Sequence, residues 1–116
     1  MATVELTSEN FASTIKDNDL VLVDFWADWC GPCKRFGPVY DQVSKAHEDV
    51  VFGKLDTEAN GDIAGGLGIQ AIPTLMAFKN GNLVFNQAGA LNAGQLEQLV
   101  GKVKDLDVED ASTDAE

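Results

Sequence analysis

"LVLVDFWADWCGPCKRF", residues 20 to 36, carries the reading of this chain. It opens with Leu20 to Trp26, a near-continuous run of β-branched, aliphatic and aromatic residues. Such a run marks a strand buried on both faces, as strands in parallel sheets are. Four residues later come the chain's two cysteines, Cys30 and Cys33, with Gly31-Pro32 between them. A helical pattern follows directly. The cysteines therefore sit at a strand-to-helix junction, and Asp24 interrupts the apolar strand that leads to them.

The flanking segments extend the pattern. Val4 to Leu6 reads as a short strand, and "TSENFASTIKDN" as a helix capped by Thr7 or Ser8 with Phe11 and Ile15 on one face. The helix after the cysteines is expected from Cys33 to about His47. Phe36, Val39, Tyr40 and Val43 form its inner stripe, and Pro38 inside it should kink it. "VVFGKLD", residues 50–56, is a second buried strand. "EANGDIAGGLG" is a weak helix because its glycines oppose it. "TLMAFK" and "LVFNQA" flank Asn80-Gly81, a strong hairpin signal. "NAGQLEQLVGKVKDL" is an amphipathic helix with Leu96, Leu99, Val100 and Val103 inward. The order β-α-β-α-β-α-β-β-α calls for an α/β domain. It has a central mixed five-stranded sheet flanked by four helices, parallel in its first part and closed by an antiparallel hairpin.

Bulk composition narrows the function. The chain has 116 residues, 45% of them hydrophobic, which is enough for one domain with a real core. Its net charge is −11, and from Asp105 onward there are six acids and no base. Residues 1–106 read as the folded domain, and 107–116 as an acidic, solubilising and disordered tail. An acidic domain repels nucleic acid and anionic membrane. No basic, apolar leader opens the sequence, and no run reaches the ~18–20 apolar residues of a membrane span. The reading is a cytoplasmic protein that binds neither nucleic acid nor membrane. In that reducing compartment a permanent structural disulfide is not expected.

Three roles compete for the cysteines. Structural zinc needs about four ligands, and the chain offers two cysteines and one distant histidine, His47, which reads as a surface residue without a catalytic role. As a staple, a bridge closing four residues restricts the unfolded chain by only about 2 kcal/mol. A reactive pair fits better. At a helix N-terminus, Cys30 would meet free N–H groups and the positive end of the helix dipole. An ordinary thiol of pKa near 8.5 is only ~3% thiolate at pH 7, and lowering it by one unit gives roughly 24%. The thiolate is the nucleophile. Cys33, one turn further in, would resolve the mixed disulfide. Gly31 permits close approach, and Pro32 sets φ for the first helical turn.

Asp24 has two readings from sequence: a solvated strand edge, or a buried carboxylate with a raised pKa. Lys54 also interrupts an apolar run, on a strand that could lie alongside. An Asp24–Lys54 pair would offset some of the burial cost.

"WCGPCK", residues 29–34, resembles the active site of the thioredoxin family. "LVDFWADWCGPCK", "GIQAIPT", "FKNG" and "GAL" resemble further segments of bacterial-type thioredoxins in the same order. The likeness runs from residue 4 to about 106. It implies the thioredoxin fold and a general protein-disulfide reductase that works by dithiol–disulfide exchange through Cys30 and Cys33. By the same likeness, it maintains redox homeostasis and donates electrons to reductive enzymes. Asp24 would deprotonate Cys33, modulated by Lys54. Bare sequence predicts a trans bond before Pro73, whereas the family implies a cis one facing the cysteines. The family further implies an apolar substrate surface made of Trp29, Gly31, Pro32, Ala71, Ile72, Pro73, Gly89 and Ala90, with Ile72 pairing to an extended partner segment. Trp26 reads as core or support rather than contact, packed beside the site. A separate thioredoxin reductase would restore the dithiol, using NADPH and FAD that this chain does not bind. The chain has no glycine-rich nucleotide fingerprint, and no metal or cofactor of its own is expected. Partners implied by the family include ribonucleotide reductase, peroxiredoxin and methionine sulfoxide reductase, met by a monomer. Two features depart from the family: Gly65-Gly66-Leu67 stands where bulkier residues are common, and Ala71 replaces a frequent glycine. Two rivals remain on sequence, a disulfide oxidase or isomerase on the same fold and a redox-indifferent binding subunit.

Overall fold

The computed structural model describes residues 3–109. Five strands and four helices alternate as anticipated: β1 (Thr3–Leu6), α1 (Phe11–Asp17), β2 (Leu20–Trp26), α2 (Gly31–Lys45), β3 (Val51–Asp56), α3 (Gly61–Gly66), β4 (Thr74–Lys79), β5 (Asn82–Ala88) and α4 (Ala93–Asp105). The sheet order is β1-β3-β2-β4-β5. Strands β1, β3 and β2 run parallel, and β4 and β5 are antiparallel to their neighbours. The apolar β2 is therefore central, and every residue from Leu20 to Phe25 is buried.

Alternation along β2 divides the core in two. Val21, Val23 and Phe25 face α1 and α3, together with Leu6, Phe11, Leu55, Met76 and Phe78. Leu20 and Leu22 face α2 and α4, together with Phe36, Tyr40, Phe52, Leu96 and Val100. By the same period of two, Asp24 lies on the α2/α4 side, and so does Lys54 of β3. On that side Tyr40 bridges two aromatic neighbours, 5.6 Å from Phe36 and 5.2 Å from Phe52 between ring centroids. Each fully buried aromatic of this kind contributes roughly 1.5–3 kcal/mol of burial energy.

Helix starts and strand ends differ in places from their sequence signals. Helix α1 begins at Phe11, after Asn10, rather than after Thr7 or Ser8. The reason is tertiary. The Ser8 N–H donates to Asn60 Oδ1 at 2.9 Å, and the Ser8 hydroxyl donates to Asp62, so Ser8 joins this turn to the start of α3. The Thr7 N–H is taken locally by Asn10 Oδ1 at 2.7 Å. Helix α2 starts two residues earlier than its apolar stripe indicates, because Cys30 acts as its cap. Helix α3 is held to six residues by its glycines. The hairpin turn has φ of 52° at Asn80 and 86° at Gly81, the positive pair that a two-residue I′ turn requires. Helix α4 carries a reciprocal cap: Asn92 Oδ1 accepts the Gln95 N–H at 2.8 Å, and Gln95 Oε1 accepts the Asn92 N–H at 3.0 Å. Beyond α4, Asn80 and Asn82 side-chain amides donate to the Val108 and Glu109 carbonyls at 2.6 and 2.8 Å. Most of the expected acidic tail lies outside the described residues.

Candidate active site

The end of β2 and the start of α2 place the cysteines. Cys30 has extended backbone (φ −92°, ψ 109°) and caps α2, its Sγ accepting the Cys33 N–H at 3.1 Å. A sulfur in this position receives a donor that helix geometry leaves without an intrahelical partner. The same donor and the helix dipole favour a thiolate when the pair is reduced. Cys30 and Cys33 are joined by a disulfide, with Cα atoms 5.3 Å apart. Both are only 4% exposed. Asp28, Trp29, Gly31, Pro32, Lys34 and Arg35 around them are exposed.

The loop before β4 approaches from the other side. The Ile72–Pro73 bond is cis, against the bare-sequence expectation and as the resemblance implies. The Ile72 carbonyl oxygen lies 3.7 Å from Cys30 Sγ. The Pro73 carbonyl accepts the Gly89 N–H at 2.8 Å, which draws the Gly89-Ala90 loop to the same rim. Ala71, Gly89 and Ala90 are exposed, Ile72 is half-buried and Pro73 is buried. Gly89 has φ of 107°, which side chains rarely adopt. Trp29 is 69% exposed, and its indole N–H donates to Glu58 Oε2 at 3.4 Å.

Asp24 is fully buried, which settles its position in favour of the interior over a solvated edge. Neither carboxylate oxygen has a hydrogen-bond partner. Desolvation raises its pKa from the ordinary 3.8 to about 7, and the charge on Lys54 partly opposes that rise. Asp24 and Lys54 stand opposite each other in the β2–β3 register. The lysine does not close a salt bridge. Its ammonium lies 5.3 Å from the centroid of the Trp26 ring, as a cation over an aromatic face. Trp26 is half-buried, and its ring faces the Lys54 ammonium.

A cleft of about 500 Å³ opens on this side, lined by Trp26, Cys33, Gly37, Pro38, Asp41 and Lys54, among others. It brings solvent to the flank of Cys33. Gly37 lies against the lysine: a Cβ there would be in ordinary contact with Lys54 Nζ, at 3.7 Å. Three features escaped the sequence reading. Tyr40 was legible as part of an inner stripe, but not its hydroxyl, which donates to the Gly53 carbonyl at 2.8 Å in the buried layer beside Asp24. The cleft walls Asp41 and Gly37 carry no linear signal. Arg35 folds back toward Gly31, with Nη1 3.7 Å from the position a Cβ would take there; its spacing of four residues was the available clue.

His47 is more enclosed than a surface residue, with a side chain 16% exposed. Nε2 contacts Glu97 at 2.6 Å and Nδ1 contacts Lys104 at 2.8 Å, so it joins the end of α2 to α4, away from the cysteines. Among the described residues, no group of three or more His, Cys, Asp or Glu is placed to hold a metal ion. No helix among them is long and apolar enough to cross a membrane.

The family model described as Thioredoxin matches residues 2–102. This chain belongs to the thioredoxin family. It is 51% identical over 109 residues to a putative thioredoxin 2 of Streptomyces coelicolor, a match covering 94% of this chain and 81% of the relative. It is 41% identical over 104 residues to a thioredoxin of Porphyra purpurea, covering 88% and 97% of the two. Among solved structures, a thioredoxin of Plasmodium falciparum superposes with a TM-score of 0.79 at 40% identity, over 84% of this chain and 96% of the other. The five-stranded mixed sheet with four helices is thus the thioredoxin fold. With a cysteine pair already at disulfide distance, the family's dithiol–disulfide exchange and protein-disulfide reductase activity belong to this chain.

Proposed function

We propose that the chain is a general reductase of protein disulfides in which each site residue has a distinct task. In the reduced state, the Cys30 thiolate attacks one sulfur of a partner disulfide. A Cys30–partner bond forms, and the partner's other sulfur leaves as a thiolate. Cys33, once deprotonated, attacks Cys30 Sγ. The Cys30–Cys33 bond forms and the second partner sulfur is released, so two electrons pass to the partner. The observation that carries this reading is Cys30 Sγ at the cap of α2, accepting the Cys33 N–H.

Asp24 is the proton acceptor for Cys33 in this reading. A carboxylate with a pKa of about 7 holds or releases a proton near neutrality. Its unpartnered oxygens leave it free to accept one. Lys54 tunes it through charge and marks the wet side of the site. Trp29, Gly31, Pro32, Ala71, Ile72, Pro73, Gly89 and Ala90 form the docking rim. The Ile72 backbone beside Cys30 suits pairing with an extended partner segment.

The finer assignments follow the family. Recycling falls to a thioredoxin reductase that draws on NADPH through FAD. Targets of the ribonucleotide reductase, peroxiredoxin and methionine sulfoxide reductase kind are served by a monomer in the cytoplasm. The catalytic unit is residues 1–106.

Replacing Cys33 with Ser tests the exchange directly. The variant should accumulate a stable mixed disulfide through Cys30, seen as a mass shift that dithiothreitol removes. Recovery of unmodified protein after incubation with a disulfide partner would refute the order of attack.

A further inference from the structure

Charge around the cysteines runs against the molecule as a whole. The chain carries −11, with only eight basic residues. Three of those eight stand about the cysteine pair: Lys34 and Lys54 on the cleft beside Cys33, and Arg35 next to Gly31. Arg35 is the sole arginine in the sequence. It leaves α2 one turn after Gly31, yet its guanidinium reaches back to the helix start. A cation there opposes the helix dipole, which favours anions at an N-terminus. Among the described residues no acid lies within salt-bridge distance of it; the ion pairs present involve Lys45, His47 and Lys104. An exposed, unpaired guanidinium therefore stands beside the residue that adjoins Cys30, on a rim that is otherwise apolar.

We propose that Arg35 is a specificity-determining residue of the exchange site: it selects partner segments with an acidic side chain beside the disulfide cysteine. The inference rests on the exchange reading above and deepens it. The molecule as a whole is acidic, so a partner carboxylate meets net repulsion at a distance and attraction at this point. A guanidinium also offers forked N–H donors that match a carboxylate. Such a contact orients the incoming disulfide as well as attracting it.

The test uses two disulfide peptides identical except for Glu or Lys next to the attacked cysteine. The fully reduced protein is mixed with each, and the single-turnover rate is measured. Each protein dithiol reduces one peptide disulfide and ends as the Cys30–Cys33 disulfide. The expected rate ratio, Glu over Lys, is about 3–10 at low salt, falling toward one at high ionic strength. Arg35→Gln should bring the ratio close to one, Arg35→Glu should invert it, and Arg35→Lys should keep part of it. Because the readout is a ratio within one protein, a general loss of folding or thiol reactivity leaves it unmoved. An equal ratio in all four proteins would overturn the proposal, as would a preference for Lys in the unsubstituted protein. If that protein reduces neither peptide, the exchange reading itself fails and this inference falls with it.

Discussion

Asp24 shows what a single misplaced polarity can do. An apolar strand could close this core without it. Instead a carboxylate sits unexposed and unpartnered, one layer below the helix that the cysteines begin. Its charged form is the costly one. In the unfolded chain the group ionises near 3.8, and in the folded protein near 7. Between those values the folded state holds a proton that the unfolded chain has lost. Stability therefore falls as pH rises from about 4 to 7 and levels off above. The full difference corresponds to roughly 4 kcal/mol. Asp24→Asn should remove most of this dependence. Denaturant unfolding should show a gain of about 2–4 kcal/mol at pH 8.5 that is nearly absent at pH 4. The same variant should resolve mixed disulfides more slowly and lose the rate inflection near pH 7. Wild-type reduction kinetics across pH 6–9 would remove Asp24 from the mechanism.

At the scale of elements, the order of strands and helices was legible because hydrophobic period and turn chemistry agree. Leu20–Trp26 reads as a strand buried on both faces, and Asn80-Gly81 as a tight hairpin. The reactive pair was equally legible, since two cysteines around Gly-Pro at a strand–helix junction leave little else to do. Contacts across the chain were not. The start of α1 moved because Ser8 bonds to Asn60, a residue more than fifty positions away. The depth of Asp24 depended on which strands flank β2, which composition alone does not state. Gly53 belongs to the same group. In sequence it looks like a weakness in β3, but a Cβ there would come within 2.9 Å of Leu6 Cγ and closer still to its Cδ1. Its bareness lets β1 lie against β3 with Leu6 fully buried. Gly53→Ala should cost about 1–3 kcal/mol through displacement of Leu6. The denaturation midpoint reports this, and an unchanged midpoint would show that β1 yields freely.

For the molecule as a whole, charge and ends matter most. The negative excess is densest from Asp105 onward, where six acids stand without a base. Lys79 Nζ donates to the Leu106 carbonyl, and beyond it the side chains of Asn80 and Asn82 at the hairpin hold the Val108 and Glu109 carbonyls. Helix α4 ends independently of those two asparagine contacts. Lys79 Nζ donates to the Val103 and Lys104 carbonyls at 2.8 and 2.6 Å, which closes the helix from within the domain. Deleting residues 107–116 should therefore leave the fold and the exchange rate intact and shift stability by no more than about 1–2 kcal/mol. Thermal unfolding of the shortened chain measures this. A collapse of the transition would place the domain boundary beyond residue 106.

The sheet divides the molecule into sides with unequal freedoms. Asp24, Lys54 and Tyr40 share the side that faces α2 and α4, so the proposed proton transfer from Cys33 to Asp24 would be confined to one half of the interior. The half beneath α1 and α3 holds Val21, Val23, Phe25 and Met76, with Ile72 packed against them, and carries none of those three polar side chains. Inherited variation there is answerable to volume and shape alone, whereas on the opposite side every exchange of residue also alters the medium in which a proton must move.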